Sequence, residues 1–407
     1  MDIQFLGGAS EVGRLGMLLH DQGTTLLCDY GLAPSDPPEY PMEAPPVDAL
    51  LLSHSHLDHC GMIPVVSRQA DTRTYTTPVT QEVASLLLED SIKVSAAEGY
   101  PEPFDRGDIQ TMNQGVVTVD HGDTFQVGNL EVDVHPAGHI PGSSMFRIND
   151  RETVLFTGDL QTIDTRLLHG TKPVGCDVLV LESTYAGRHH LERAEVEAQF
   201  LARVNAVVER GGTALVPCFA VARTQEVLMV LAETDHEIWV DGMGRQVARM
   251  YQRHRRFMRS PKRYERALGR ARIVRSQGAR NRALQGDVIL TTGGMLDGGP
   301  VLHYLASMKD DLQSEILLTG YQVEGTNGRL LLDTRTIELQ GIRVPVEADV
   351  SAHDFSAHAG HDQLVEFVEG CDPTRVVLMH GDARETLAEA LEGREVLLPE
   401  DGERHTL

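Results

Sequence analysis

Residues 54–59 read His-Ser-His-Leu-Asp-His, directly after the apolar run 48–53 (DALLLS). In an extended segment, residues i and i+2 project to the same side, so His54 and His56 can grip one ion together. Asp58 and His59 then reach a second point close by. Three imidazoles and a carboxylate within six residues suit borderline Zn²⁺ in a mixed N/O site. Four ligands cannot complete two ions, so a chain with this segment must fold in a way that brings distant donors onto it. Candidates stand where other apolar runs end: His139 in PAGHIPGSS, Asp159 in FTGDL and His380 in LMHGD. Any one of these alone would more often be structural; as a set completing the cluster they read as ligands.

The wider pattern suits such convergence. Short β-rich runs recur at 48–53, 153–158, 177–182, 213–217, 237–241, 287–291, 315–319 and 375–380. Helix-like stretches at 80–97, 192–210 and 223–234 lie between several of them. Strand alternating with helix predicts an α/β fold with its chemistry at strand ends. A length of 407 residues suggests two domains, and 41% apolar residues can bury real cores, which excludes a disordered tail protein. The five cysteines are scattered and odd in number, so a disulfide framework is not expected and a reducing compartment fits. The start MDIQFLGGASEVG shows no signal peptide, and no apolar run approaches the ~18 residues of a membrane helix. The expectation is a soluble, cytoplasmic protein with no membrane partner.

Charge points two ways. Sixty acidic residues against 36 basic ones give a net −24, which argues against a general polyanion binder. Only four of the basic residues are lysines, and acid-rich, lysine-poor surfaces are what salt-loaded cytoplasms select. The sum hides its distribution, however. Residues 243–282 hold fourteen Arg and Lys against one acid, Glu265. Arg245, Arg249, Arg253 and Arg256 recur at helical i+4 and i+3 spacing, which would align them on one face. Such a run is either a solvated helix paired with acidic surface or a phosphate-facing strip. The Gly-Gly turns at 293–294 and 298–299 can present N–H groups to a phosphate, a weak signal as bare turns.

Taken in order, His54-Ser-His56-Leu-Asp58-His59, His139 and Asp159 resemble the metallo-β-lactamase fold, and Asp29 in LLCDYG matches its first motif. Glu182 in LESTYA, His358 in FSAHAG and His380 in MHGD resemble the three motifs of its β-CASP nuclease branch. LVPCFAVARTQE (215–226), TTGGMLDGGP (291–300) and GYQVEGTNGR (320–329) also look like β-CASP sequence. The match spans essentially the whole chain and is similar to the archaeal homologues of the cleavage and polyadenylation endonuclease subunit rather than to RNase J. The resemblance implies an αββα sandwich from residues 1–186 and 346–407, a β-CASP domain inserted at 187–345, and an active site in the cleft between them. It implies two Zn²⁺ ions, with His54, His56 and His139 on one, Asp58, His59 and His380 on the other, and Asp159 bridging. Asp29 would stand behind the ligands and orient a histidine. Three departures stand out. The chain begins at its GGASEVG segment, so the RNA-binding KH domains of archaeal relatives are not expected. Leu15 replaces a usual serine, and Asp382 a usual glutamate. None of these is a proposed ligand.

Phosphodiester cleavage also needs a proton for the departing O3′. His358 lies outside the ligand set and is the candidate general acid. Glu182 can hydrogen-bond it and keep it protonated, and Asp58 and Asp159 complete the catalytic set. The products would be a 5′-phosphate and a 3′-hydroxyl. Since the 2′-OH is not used, a preference for RNA must come from recognition, for which Arg245, Arg249, Arg253, Arg256, Gly293 and Gly294 are the candidates. His353 and His361 read as packing or surface residues; His189 and His190 are given no role. The expected function is a zinc-dependent ribonuclease acting on single-stranded RNA. Its cutting is expected to be endonucleolytic (3′-end maturation, termination or decay), with a 5′→3′ exonuclease mode and a homodimer left open. The alternatives are a glyoxalase-type hydrolase of small thioesters or lactones, and a non-catalytic RNA-binding subunit.

Overall fold

All eight apolar runs are strands in the computed structural model of the chain, which describes residues 1–68 and 72–407. They become Ala49–Leu51, Thr153–Phe156, Val178–Glu182, Ala214–Cys218, Ile238–Asp241, Val288–Thr292, Glu315–Leu318 and Arg375–Met379. The helix-like stretches become Pro78–Glu98, Arg193–Glu209 and Arg223–Leu231. Local chemistry sets the ends of the first helix. The Thr77 side chain accepts from the Thr80 N–H, Pro78 sits where no N–H is needed, and Gly99 at φ +78° ends it. The chain forms two compact units. Met1–Asp164, His169–His189 and His358–Leu407 make one, and Thr165–Leu168 with His190–Ala357 make the other.

The first unit is built on two seven-stranded sheets. One runs Arg404–Thr406, Asp2–Gly7, Gly16–Asp21, Thr24–Cys28, Ala49–Leu51, Arg73–Thr76, Val116–Thr118. The other runs Glu395–Leu397, Arg375–Met379, Val178–Glu182, Thr153–Phe156, Ser144–Asn149, Leu130–Pro136, Thr124–Val127. Side chains alternate between faces along a strand, and that alternation makes the layers. Leu26 and Cys28 point between the sheets and share a core with Phe146, Phe156, Val180 and Met379. Leu27, between them in sequence, points outward to Ala84, Leu88, Ile109 and Met112 of helices Pro78–Glu98 and Arg106–Gly115. On the second sheet Leu155, Leu179 and Leu378 face outward to Leu364, Phe367 and Leu387 of helices His361–Cys371 and Arg384–Ala390. The result is an αββα sandwich with three apolar layers. Each fully buried Leu or Phe in them stabilises by about 1.5–3 kcal/mol. Strand Arg375–Met379 pairs in parallel with Val178–Glu182, with Met379 opposite Glu182. That register puts His380 and Glu182 at neighbouring strand ends.

The second unit carries a six-stranded, all-parallel sheet. Its order is Arg272–Ile273, Ile238–Asp241, Val288–Thr292, Ala214–Cys218, Glu315–Leu318, Asp349–Ala352. Ala214–Cys218 and Val288–Thr292 are buried along their whole length, as strands covered on both faces must be. Near the expected return of the chain at 346, one more strand joins this sheet. Asp349–Ala352 still pairs with Glu315–Leu318, so the first unit resumes only at His358. The short piece Thr165–Leu168 joins this unit because the Arg166 and Leu167 N–H groups donate to the buried Glu226 carboxylate at 2.9 and 2.7 Å. Among the described residues, no helix is long and apolar enough to cross a membrane.

Candidate metal centre

The segment 54–59 leaves strand Ala49–Leu51 and turns at once into the short helix Leu57–Cys60. Its backbone is held by the chain after Asp29: the Tyr30 and Leu32 N–H groups donate to His59 and Leu57 carbonyls at 2.8 and 2.9 Å. Gly31 permits that approach, because a Cβ there would run into the Asp58 backbone. Asp29 itself is left-handed at φ 55°, as is His380 at φ 53°. Non-glycine residues in that region cost about 1–3 kcal/mol, and such strain gathers at functional sites.

The donors divide into two sets around one carboxylate. Asp159 Oδ2 lies 3.4 Å from His54 Nε2 and 3.6 Å from His139 Nε2. Each of those nitrogens is 3.1 Å from His56 Nδ1. The other oxygen, Oδ1, lies 3.3 Å from His59 Nε2 and 3.8 Å from His380 Nε2. His380 Nε2 is in turn 3.6 Å from Asp58 Oδ2. All seven sequence-predicted ligands therefore come together in the first unit, with the two oxygens of Asp159 turned to different sets. Asp29 stands behind them. Its Oδ2 accepts from His59 Nδ1 at 2.7 Å and from Ser53 Oγ at 2.6 Å, and Ser53 Oγ is 3.0 Å from His54 Nδ1. Both rings thus have Nδ1 engaged and Nε2 aimed inward, the arrangement that orients histidine ligands.

The donor set fits a metal. His59 Nε2, His380 Nε2 and Asp159 Oδ1 are buried and make no hydrogen bond, although the first and last are 3.3 Å apart. Protonation points the same way. Burial pushes His54 down to about 3 and His56 to about 4, and holds His139 well below the usual imidazole range, so all three rings are neutral at neutral pH, the form that ligates a metal. Burial also works against charge on Asp58 and Asp159, yet the surrounding histidines hold both well below the usual carboxylate range. His59 is likewise opposed by burial but raised well above 6.5 by Asp159, Asp58 and Asp29. Three carboxylates around one ring mark a spot that wants positive charge.

His358 stands beside this centre, with Nδ1 4.0 Å from Asp159 Oδ2 and 3.1 Å from Glu182 Oε1. Glu182 is fully buried and is aimed by two backbone donors, the Leu160 and Thr184 N–H groups at 2.8 and 3.3 Å. Burial lowers the imidazolium's stability, but Glu182 and Asp159 outweigh it and bring His358 up to about 9. Two positioning residues escaped the sequence reading. Gln161 Nε2 donates to the His358 carbonyl at 2.8 Å, and the Tyr185 ring stacks on the imidazole at 5.7 Å between centroids. Gln161 follows FTGDL and Tyr185 lies in LESTYA, so proximity to those motifs was the available signal. His353 and His361 lie elsewhere, the one against Phe200 and the other accepting from the Gly187 N–H.

The arginine run is not one face, which corrects the alignment read from spacing. Helix Gly244–Arg253 ends at Arg253, and Arg256 sits in a separate 3-10 turn with its guanidinium 4.9 Å over Phe257. Arg245 is half-buried and tied to the Val274 carbonyl. Arg249 and Arg253 are exposed, opposite the buried Val247, Ala248 and Tyr251. Other members pair with acids of the same unit, such as Arg263 with Glu233 at 2.8 Å, Arg272 with Glu237 at 3.0 Å and Arg280 with Asp241 at 2.7 Å. Gly293, at φ +110°, and Gly294 follow strand Val288–Thr292.

Comparison with known proteins agrees with this layout. Three family models match: a beta-lactamase superfamily domain at residues 24–210, a Beta-Casp domain at 224–331, and a Zn-dependent metallo-hydrolase RNA specificity domain at 343–399. The chain is 33% identical over 400 residues to the probable RNase MJ4 of Methanocaldococcus jannaschii, covering 94% of this chain and 93% of that protein. It is 34% identical over 424 residues to RNase aCSPSF2 of Saccharolobus solfataricus, covering 100% and 85%. A transcription termination factor FttA of M. jannaschii is 29% identical, with 95% of this chain and 67% of the factor covered. A crystal structure of a protein of unknown function from Enterococcus faecalis shares the fold, at TM-score 0.65 and 15% identity over 100% of this chain and 99% of that one.

Proposed function

The chain belongs to the β-CASP ribonuclease family of metallo-β-lactamase-fold, metal-dependent hydrolases, and on that premise we propose that it cleaves single-stranded RNA endonucleolytically with two zinc ions. One observation carries the reading: two donor sets share Asp159, and a protonatable His358 stands beside that shared carboxylate. In this reading His54, His56 and His139 hold one ion, Asp58, His59 and His380 the other, and Asp159 serves both. Bound there, the two ions supply Lewis acidity, lowering the pKa of water toward ~7 and neutralising phosphoryl charge. The chain's own residues do the rest. Asp29 and Ser53 fix the rings of His59 and His54. Glu182 holds the His358 Nδ1 proton, which leaves Nε2–H to be donated to the departing O3′ as its bond to phosphorus breaks. The reading also places the protein in the cytosol, where scattered thiols stay reduced.

The deciding experiment uses RNA labelled at either end, with 5′-triphosphate and 5′-monophosphate versions compared. Zinc-loaded protein is expected to give internal fragments that do not depend on the 5′ group, and chelated protein none, with zinc restoring cleavage. Mononucleotides released only from 5′-monophosphate RNA would replace the endonuclease reading by an exonuclease one. Untouched RNA alongside hydrolysis of a small thioester would end the ribonuclease reading.

The exposed pair Arg249 and Arg253 carries a narrower expectation. Converting both to Glu should weaken RNA binding and lower the slope of log Kd against log salt by roughly 1.4, two contacts at about 0.7 each. Hydrolysis of a minimal phosphodiester should suffer much less. Equal losses on both substrates would make the pair structural.

A further inference from the structure

All twenty Phe, Trp and Tyr side chains lie among the described residues, and only two of them, Phe219 and Tyr321, are exposed, at 40% and 42%. Both sit at the C-terminal ends of neighbouring strands in the second unit's parallel sheet. Phe219 directly follows strand Ala214–Cys218, and Tyr321 lies just past strand Glu315–Leu318, its hydrogen-bonded neighbour. Two glycines border the Phe219 ring. A Cβ at Gly294 would stand 3.5 Å from Phe219 Cδ1, and one at Gly320 would stand 3.8 Å from Cε2. Helix N-termini gather at the same end. Strands Ala214–Cys218, Ile238–Asp241 and Val288–Thr292 end here, and each is followed in the chain by a helix, Arg223–Leu231, Gly244–Arg253 and Val301–Met308, whose N-terminus lies on the side of the strands' C-terminal ends. Helix N-termini favour phosphate. Flat rings among glycines and helix N-termini suit a ligand that alternates aromatic bases with phosphates.

We infer that Phe219 and Tyr321 form a stacking platform for nucleobases of single-stranded RNA, tolerant of sequence because every base has a π-face. The inference rests on RNA being the substrate. It supplies recognition through bases, which an arginine pair reading only phosphates does not.

The test measures binding with cleavage blocked by Asp58→Ala, using two probes: an oligouridylate and an abasic ribose-phosphate oligomer of the same length. Phe219→Ala should weaken oligouridylate binding about tenfold and leave abasic binding unchanged, with Tyr321→Ala acting in the same direction. Phe219→Trp keeps a ring in place. Its indole should be quenched by oligouridylate and not by the abasic oligomer, against a background of one native tryptophan, the buried Trp239. Equal loss on both probes, or an unquenched indole, would overturn the platform while leaving the ribonuclease reading intact. If the parent binds neither probe, both fall together.

Discussion

Replacing Asp159 by Asn should reduce RNA cleavage by about 10³-fold or more, because one carboxylate serves both donor sets and metal-borne charge stabilisation is worth several kcal/mol. The asparagine side chain would keep the volume but present an amide NH₂ where an oxygen now faces either His54 and His139 or His59 and His380. It would also remove the negative charge that most strongly raises His59. Metal analysis of the purified variant should therefore show less than the wild-type content. Replacing Asp58 and His59 together by Ala should give a comparable loss of cleavage by emptying one set alone. RNA binding should survive in both variants, since none of the three residues belongs to the second unit. Full activity in Asp159→Asn would refute the shared-carboxylate assignment.

The second large effect concerns the proton. His358→Ala should cost about 10²–10⁴-fold on RNA, the usual worth of a positioned general acid. A substrate with a p-nitrophenolate leaving group needs no such proton, so there the loss should shrink markedly. If both substrates lose alike, His358 is not the leaving-group acid. The sign of the pH dependence follows from the shift. His358 is raised to about 9, its working form is protonated, and the activity it supports is lost as pH rises through that pKa. Cations held by the neighbouring ligands repel the imidazolium's proton, so the alkaline limb falls at or below 9. Glu182→Gln keeps the hydrogen-bonding shape and removes the charge. It should move that limb further down by about one pH unit or more, a shift that a merely structural role would not produce.

Much of the centre was legible in the order of residues. The i, i+2 spacing of His54 and His56 places two rings on one side of an extended segment whatever surrounds it. The eight apolar runs are strands because burial on a sheet asks for the same side chains in any α/β protein. The strand Asp349–Ala352 was less legible, since it is short, only half-buried over most of its length and pairs on one side alone, with Glu315–Leu318. The arginine strip was least legible. Spacing assumed one continuous helix, but the helix ends at Arg253, and which arginine meets an acid depends on side chains far away in sequence, such as Glu233 for Arg263.

The sequence by itself determined the donor types, their local spacing and the chain's tendency to alternate strand and helix, because these follow from residue chemistry and short-range geometry. Only the tertiary structure decided how the donors divide. The turning of the two Asp159 oxygens to separate sets requires strand ends from four distant segments to meet at one carboxylate. The pairing of Glu182 with His358, 176 residues apart, likewise depends on where the chain returns. Contacts of that kind are set by sheet order and register, and no spacing within a single segment encodes them.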